Sequence, residues 1–202
     1  MVDVELNKAR FLKIYQDNIK REGADKLLEW LCSDRSDFFV APASSKFHSA
    51  VLGGLCDHSL NVYDRAVELI ENENKKDDSL FKNISAESIA ISTLLHDLCK
   101  VNFYKVAQRN VKNEFGMWEK VDYYTVDEDL PYGHGEKSVY MISGFMRLTR
   151  EEALAINWHM GGFDKRVIGG DYSISKAFSQ FPFATLVHIA DIMATYFDED
   201  RE

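Results

Sequence analysis

Apolar residues recur three and four positions apart through most of the chain, a spacing that predicts a mainly helical protein. Residues 4–21 set Leu6, Ala9, Phe11, Leu12 and Tyr15 near one face, and ADKLLEWLC after Gly23 predicts a short second helix. These two helices, within residues 1–36, read as an N-terminal packing layer. Between Asp37 and Gly54 the period lapses at Pro42, two serines and the Gly53-Gly54 pair, then returns as a long helix to about Glu71. Ser85 is the expected N-cap of AESIAISTLLHDLCK, whose apolar face runs up to His96-Asp97.

From Phe103 to Val126 the helical period is lost, and YKVAQRNV and MWEKVDYYTV flank KNEFG in the pattern of a hairpin. Helix resumes over His134 to Met146, and Thr149-x-x-Glu152 is a capping-box pattern for the helix carrying Trp158-His159. Ser173 caps a short helix, Pro182 opens the last one, FATLVHIADIMATYF, and the acidic end DEDRE is expected to fray. The expectation is one all-α domain over residues 1–202 with a small β-hairpin insertion.

Composition narrows the function. Hydrophobic residues at 46% and charged residues at 28% are the balance of a folded chain. The 24 Lys+Arg against 33 Asp+Glu leave a net charge of −9, which disfavours long nucleic acid and membrane surfaces, since both are held by basic patches. A local pocket for an anion stays open. Cys32, Cys56 and Cys99 are an odd set without CxxC spacing, so neither a disulfide framework nor a thiolate zinc site is favoured. No apolar run approaches the roughly 20 residues of a membrane span, and the start lacks the apolar block of a signal peptide. A cytoplasmic location is expected.

The six histidines all lie between residues 48 and 188, several beside an aspartate on an otherwise apolar helical face. One such histidine reads as a hydrogen-bonded core residue; the repetition weakens that reading. His96-Asp97 ends the apolar run ISTLL, where an ionisable pair is costly to bury without a partner, and a metal ion partners both residues. Neighbours on a helix point about 100° apart, so the pair could flank one cation, or the carboxylate could bridge two. Lys100, about 40° round from His96 and one turn on, is placed to meet a substrate phosphate.

His58 enters from another helix on the face of Val62 and Arg65. Asp191, inside LVHIADIMA, needs a buried partner, while His188 reads as support or packing rather than as a ligand. His48 and Gly53-Gly54 could bind phosphate, or simply open an ordinary helix. Cys56 and Cys99 read as small apolar filler. Trp158, Phe163, Tyr123 and Tyr124 read as packing, with base stacking the alternative.

The order His58, His96-Asp97, Asp191 on three helices, carried by GGLCDHSLNV, LLHDLCK and VHIAD, resembles the HD superfamily of metal-dependent phosphohydrolases over residues 46–197. The resemblance implies an HD-domain helical bundle with its metal-binding core in that range. In the dinuclear members a second metal is held by two further histidines, and His134 (YGHGEKS) and His159 (NWHMGG) occupy those intervals. On that likeness Asp97 is the bridging carboxylate, His58, His96 and Asp191 serve the first site, and His134 and His159 serve the second.

The local wording is nearest to bacterial HD proteins similar to 3′-5′ exoribonucleases, but an additional nucleic-acid-binding domain is not expected here. Cys99 stands where the family commonly has the glycine of its HDxGK segment. The likeness implies two divalent ions, with Mn, Fe, Mg, Co and Ni undistinguished. It further implies hydrolysis of a phosphomonoester or phosphodiester in a small nucleotide or related phosphate ester. Asp97 and Lys100 are the expected catalytic residues, and Lys100, Arg65 and His48 the expected substrate contacts. No membrane partner is expected, and a homo-oligomer is compatible with the chain. The competing readings are an HD-fold di-iron oxygenase using the same ligands, and a non-catalytic domain that senses a nucleotide or metal.

Overall fold

The computed structural model describes residues 2–46, 49–76 and 80–199. The helices are α1 (Val4–Asn18), α2 (Ala24–Leu31), α3 (Gly54–Lys76), α4 (Ala86–Leu94), α5 (His134–Ser143), α6 (Arg150–Asn157), α7 (Lys165–Ile168), α8 (Ser173–Gln180) and α9 (Pro182–Met193). Strands β1 (Tyr104–Lys112) and β2 (Trp118–Val126) pair antiparallel, with Tyr104 opposite Val126 and Lys112 opposite Trp118. The fold is all-α apart from this hairpin, as the hydrophobic spacing predicts.

Helix α3 forms the spine because two of its faces are apolar. Leu55 and Leu60 pack with Phe11, Tyr15, Leu27, Leu31, Ile91 and Leu94, which draws α1, α2 and α4 onto one side. Val62, Ala66 and Ile70 pack with Phe183, Val187, Ala190 and Ala194, which seats α9 on the other. Each fully buried large side chain contributes about 1.5–3 kcal/mol, so both clusters are needed to hold α3 in place. His58 is one turn before Val62 on the α9 side. Leu6, expected on the buried face of α1, is 65% exposed; Phe11 and Tyr15 carry that contact instead.

Several boundaries differ from expectation. Helix α3 continues to Lys76. Ser173 is the first residue of α8 rather than its cap, and its N–H is taken by Asp171 Oδ1 at 2.8 Å. Helices α4 and α6 stop at Leu94 and Asn157, short of His96-Asp97 and His159, which therefore sit in turns rather than on helices. Of the acidic end DEDRE, Asp198 and Glu199 do not fray but are docked against α3, and residues 200–202 lie outside the described residues.

The capping box at Thr149 and Glu152 is formed, and Glu152 does more than cap. Its fully buried carboxylate accepts both Arg21 guanidinium N–H groups at 2.7 Å, the Ser88 hydroxyl at 2.7 Å and the Thr149 N–H at 2.8 Å. One carboxylate thus ties the α1–α2 link, α4 and α6 together. Burial pushes the Glu152 pKa up, but Arg21, Thr149 and Ser88 outweigh it and leave it lowered. A depressed carboxyl contributes stability above its unfolded pKa of about 4.3 and loses it as pH falls through the folded value. Glu152→Gln should therefore cost about 3 kcal/mol in urea unfolding at pH 7, with the deficit against the unaltered protein shrinking below about pH 4.

Candidate metal centre

His96 and His159 are presented by the same local device. Each follows a helix end by two residues: the residues after the last helical position, Leu95 (φ −117°, ψ 4°) and Trp158 (φ −112°, ψ 13°), share one conformation. The last four carbonyls of a helix have no intrahelical partner. One of them accepts from the imidazole in each case: His96 Nδ1 lies 2.7 Å from Thr93 O and His159 Nδ1 lies 2.7 Å from Ile156 O. With Nδ1–H donating there, Nε2 carries the lone pair and is aimed inward. Both rings are fully buried, and His159 Nε2 has no hydrogen-bond partner among the described residues.

Between these rings lies Asp97, whose side chain is 2% exposed. Its Oδ2 faces His58 Nε2 at 3.6 Å and His96 Nε2 at 3.5 Å, while its Oδ1 faces His134 Nε2 at 2.8 Å and His159 Nε2 at 3.3 Å. Asp191, from α9, places Oδ1 3.2 Å from His58 Nε2. The donor atoms fall into close groups able to hold metal ions: His58, His96 and Asp191; His96, Asp97 and His159; Asp97, Cys99 and His134. Hard carboxylate oxygens with imidazole nitrogens suit divalent first-row metals. Gly135 brings His134 to the cluster: a side chain there would come within 2.3 Å of Asn157 O, so only glycine lets the start of α5, with His134, approach the end of α6.

The site extends to a residue that sequence reading discards. The Glu199 carboxylate, fully buried, accepts from His58 Nδ1 at 2.6 Å and from the Ser49 hydroxyl at 3.0 Å. This fixes the His58 ring and turns Nε2 toward the cluster. Its only signal in the sequence is an acidic run, which reads as a solvated tail. Arg65 accounts for the docking. Its guanidinium grips Asp198 at 2.7 and 2.5 Å and Glu68 at 2.8 Å, so it pins the tail and does not line the cavity where a substrate contact was expected. His48 lies outside the described residues.

Above the cluster opens a cavity of about 640 Å³, within the range of small-molecule sites. His58, Asp97, His134 and Asp191 line its floor, and Lys100 reaches it with Nζ 2.6 Å from Asp97 Oδ2. Lys100 arrives on the short turn Leu98–Lys100 rather than on the helical face expected. Of the aromatic candidates only Phe163 lines the cavity; Trp158 is 5% exposed beneath Arg166, and Tyr123 lies under Arg109 on the hairpin. Tyr104, Tyr196 and Lys46 also line it, and the sequence pattern did not mark them. His188 borders the cavity and donates from Nδ1 to His159 O at 2.6 Å, so it supports the His159 turn as expected. Cys56 is buried filler, but the Cys99 sulfur is turned toward His134, 3.4 Å from Nδ1 and 3.6 Å from Nε2.

Charge in this cluster is tightly opposed. Burial pushes Asp97 upward, yet Lys100 and His134 hold its carboxyl well below the usual range; burial pushes Asp191 upward too, but His58 outweighs it and leaves that carboxyl lowered. Burial lowers His96 to about 3, so that ring stays neutral. Burial also works against a charged His58, but Glu199 and Asp191 prevail and raise it to about 10. At His134 the Cys99 sulfur and Asp97 outweigh burial and raise it to about 10. A metal ligand must be unprotonated, so loading this cluster releases protons and its apparent affinity rises with pH. Because Glu199 orients His58, Glu199→Gln should weaken divalent-metal binding about 10–100-fold in chelator competition, with circular dichroism unchanged.

No helix is long and apolar enough to cross a membrane among the described residues. Searches of curated proteins and of solved structures each return no match. A scan of family profiles matches the HD domain over residues 55–196, a span that opens on α3 ahead of His58 and closes past Asp191. The chain belongs to the HD domain family.

Proposed function

We propose that this protein is a metal-dependent phosphohydrolase that cleaves a phosphomonoester or phosphodiester bond in a nucleotide or a related small phosphate ester. The observation that carries the reading is the division of Asp97: one oxygen faces His58 and His96, the other faces His134 and His159. A carboxylate with each oxygen turned to its own pair of imidazoles is the donor arrangement of a two-cation centre. His58, His96 and Asp191 would hold the first ion, His134 and His159 the second, and Asp97 both. Bound there, two divalent ions supply Lewis acidity toward a phosphoryl oxygen and an acidified water.

The chain's own groups do the rest. Lys100 holds a proton firmly: burial would lower its pKa, but Asp97 raises it above the ordinary lysine value. Its ammonium, on the cavity floor beside Asp97, is placed to neutralise charge on a transferring phosphoryl group. Lys46 stands at the cavity wall as a second cation for an anionic substrate. Tyr104, Phe163 and Tyr196 offer rings to a flat group carried by the phosphate. The cavity volume, within the range of small-molecule sites, is compatible with a nucleotide.

The test is metal analysis of the purified protein, then phosphate release from nucleoside mono- and triphosphates, cyclic nucleotides, short oligonucleotides and a chromogenic diester. Release of phosphate or alcohol product without oxygen supports hydrolysis; iron-dependent oxygen consumption without hydrolysis would instead establish the di-iron oxygenase. Asp97→Ala should lose both cations and turnover, and His134→Ala should keep one cation per chain. Lys100→Ala should keep both cations while kcat falls about 10²–10³-fold, the effect of removing one charge-stabilising group.

A further inference from the structure

We propose that Cys99 is a sulfur ligand of the ion held on the His134 side, which would make that half of the site selective for a metal that accepts thiolate. The proposal rests on the two-cation reading above and adds a donor to it. Cys99 is 2% exposed, and its sulfur does not face apolar neighbours alone. It lies 3.4 and 3.6 Å from the two ring nitrogens of His134 and in one close group of potential ligand atoms with His134 and Asp97. Metal–sulfur bonds of about 2.3 Å and metal–nitrogen bonds of about 2.0–2.1 Å at a tetrahedral centre put the two donors about 3.6 Å apart.

A second observation points to a ligand on the same side of Asp97. His159 Nε2 is fully buried, has no hydrogen-bond partner among the described residues, and lies 3.3 Å from Asp97 Oδ1. His134 Nε2 meets the same oxygen at 2.8 Å. Asp97, His134 and Cys99 make one close group of an oxygen, an imidazole and a sulfur, and Asp97 Oδ1 links it to the orphan nitrogen of His159. The backbone fixes the sulfur there: Cys99 N–H donates to the Ser138 hydroxyl at 3.0 Å, which ties its turn to α5, the helix that bears His134.

On binding, a sulfur–metal bond forms as the S–H bond breaks, and the proton leaves to solvent without any change of oxidation state. The first locus, with imidazole and carboxylate donors, has no sulfur, because Cys56 belongs to none of the donor groups. The two loci therefore differ in softness. Zn²⁺, Fe²⁺ and Co²⁺ gain on the Cys99 side over Mg²⁺, which prefers oxygen.

Anaerobic titration of the full, metal-stripped chain with Co²⁺ tests this. The unaltered protein should develop visible ligand-field bands from cobalt at both loci, plus a near-ultraviolet thiolate-to-cobalt charge-transfer band. Cys99→Ser, and Cys99→Ala should the serine variant fold poorly, should keep cobalt binding and lose the charge-transfer band; Cys32→Ser and Cys56→Ala should keep it. A charge-transfer band absent from the unaltered, cobalt-loaded protein would overturn the proposal, leaving Cys99 a hydrogen-bond partner of His134. So would a band that survives Cys99→Ser or disappears with Cys56→Ala. Failure to bind cobalt at all would overturn the two-cation reading itself, and the Cys99 assignment with it.

Discussion

A carboxylate that is 2% exposed cannot stand alone in a helical core, and the structure around Asp97 is organised by that constraint. Desolvating an unpaired carboxylate costs several kcal/mol even after relaxation. Four imidazoles and one ammonium surround it, delivered from α3, α5 and the turns that follow α4 and α6. Each of these elements is held by its own apolar packing, so compensation for the charge is distributed over the whole bundle. The packing of α3 against both clusters is the means by which His58 arrives within reach of residues far along the chain.

Helix ends do work here that helix faces do not. On a helix, the imidazole of His96 and the carboxylate of Asp97 would diverge by about 100° and a backbone N–H would meet the Thr93 carbonyl. Ending α4 at Leu94 frees that carbonyl, and the imidazole takes it. The same substitution of a side chain for a backbone donor occurs at Ile156 and His159. One hydrogen bond thereby satisfies an orphan acceptor, selects the ring tautomer and sets the direction of Nε2. The carbonyl ends of α4 and α6 also carry partial negative charge, which favours a cation nearby.

Much of this was legible in the amino-acid order. The hairpin, the capping box at Thr149 and the proline start of α9 follow from periodicity and turn chemistry; His58, His96, Asp97 and Asp191 stand out as polar residues in apolar contexts, and His134 and His159 join them through the likeness to the HD superfamily. What sequence could not supply is side-chain direction at element ends. The apolar run before His96 keeps its helical spacing past Leu94, so nothing in the order of residues marks the break. Arg65 shares a helical face with His58, yet it pairs with Asp198 and leaves the cavity. Glu199 sits in a run of acids that resembles a solvated end, and only the docking of that end reveals that it holds His58.

The uneven distribution of charge restricts what can reach the cluster. The chain carries −9 overall, which works against the long-range attraction of a polyanion. Inside the cavity, Lys46 and Lys100 present positive charge next to the cluster, flanked by Tyr104, Phe163 and Tyr196. A compact anion with one flat apolar group gains from both features and loses little to the outer field, because repulsion between exposed charges is screened within about 8 Å at physiological salt. Electrostatics and cavity shape thus both accord with the small phosphate ester proposed as substrate.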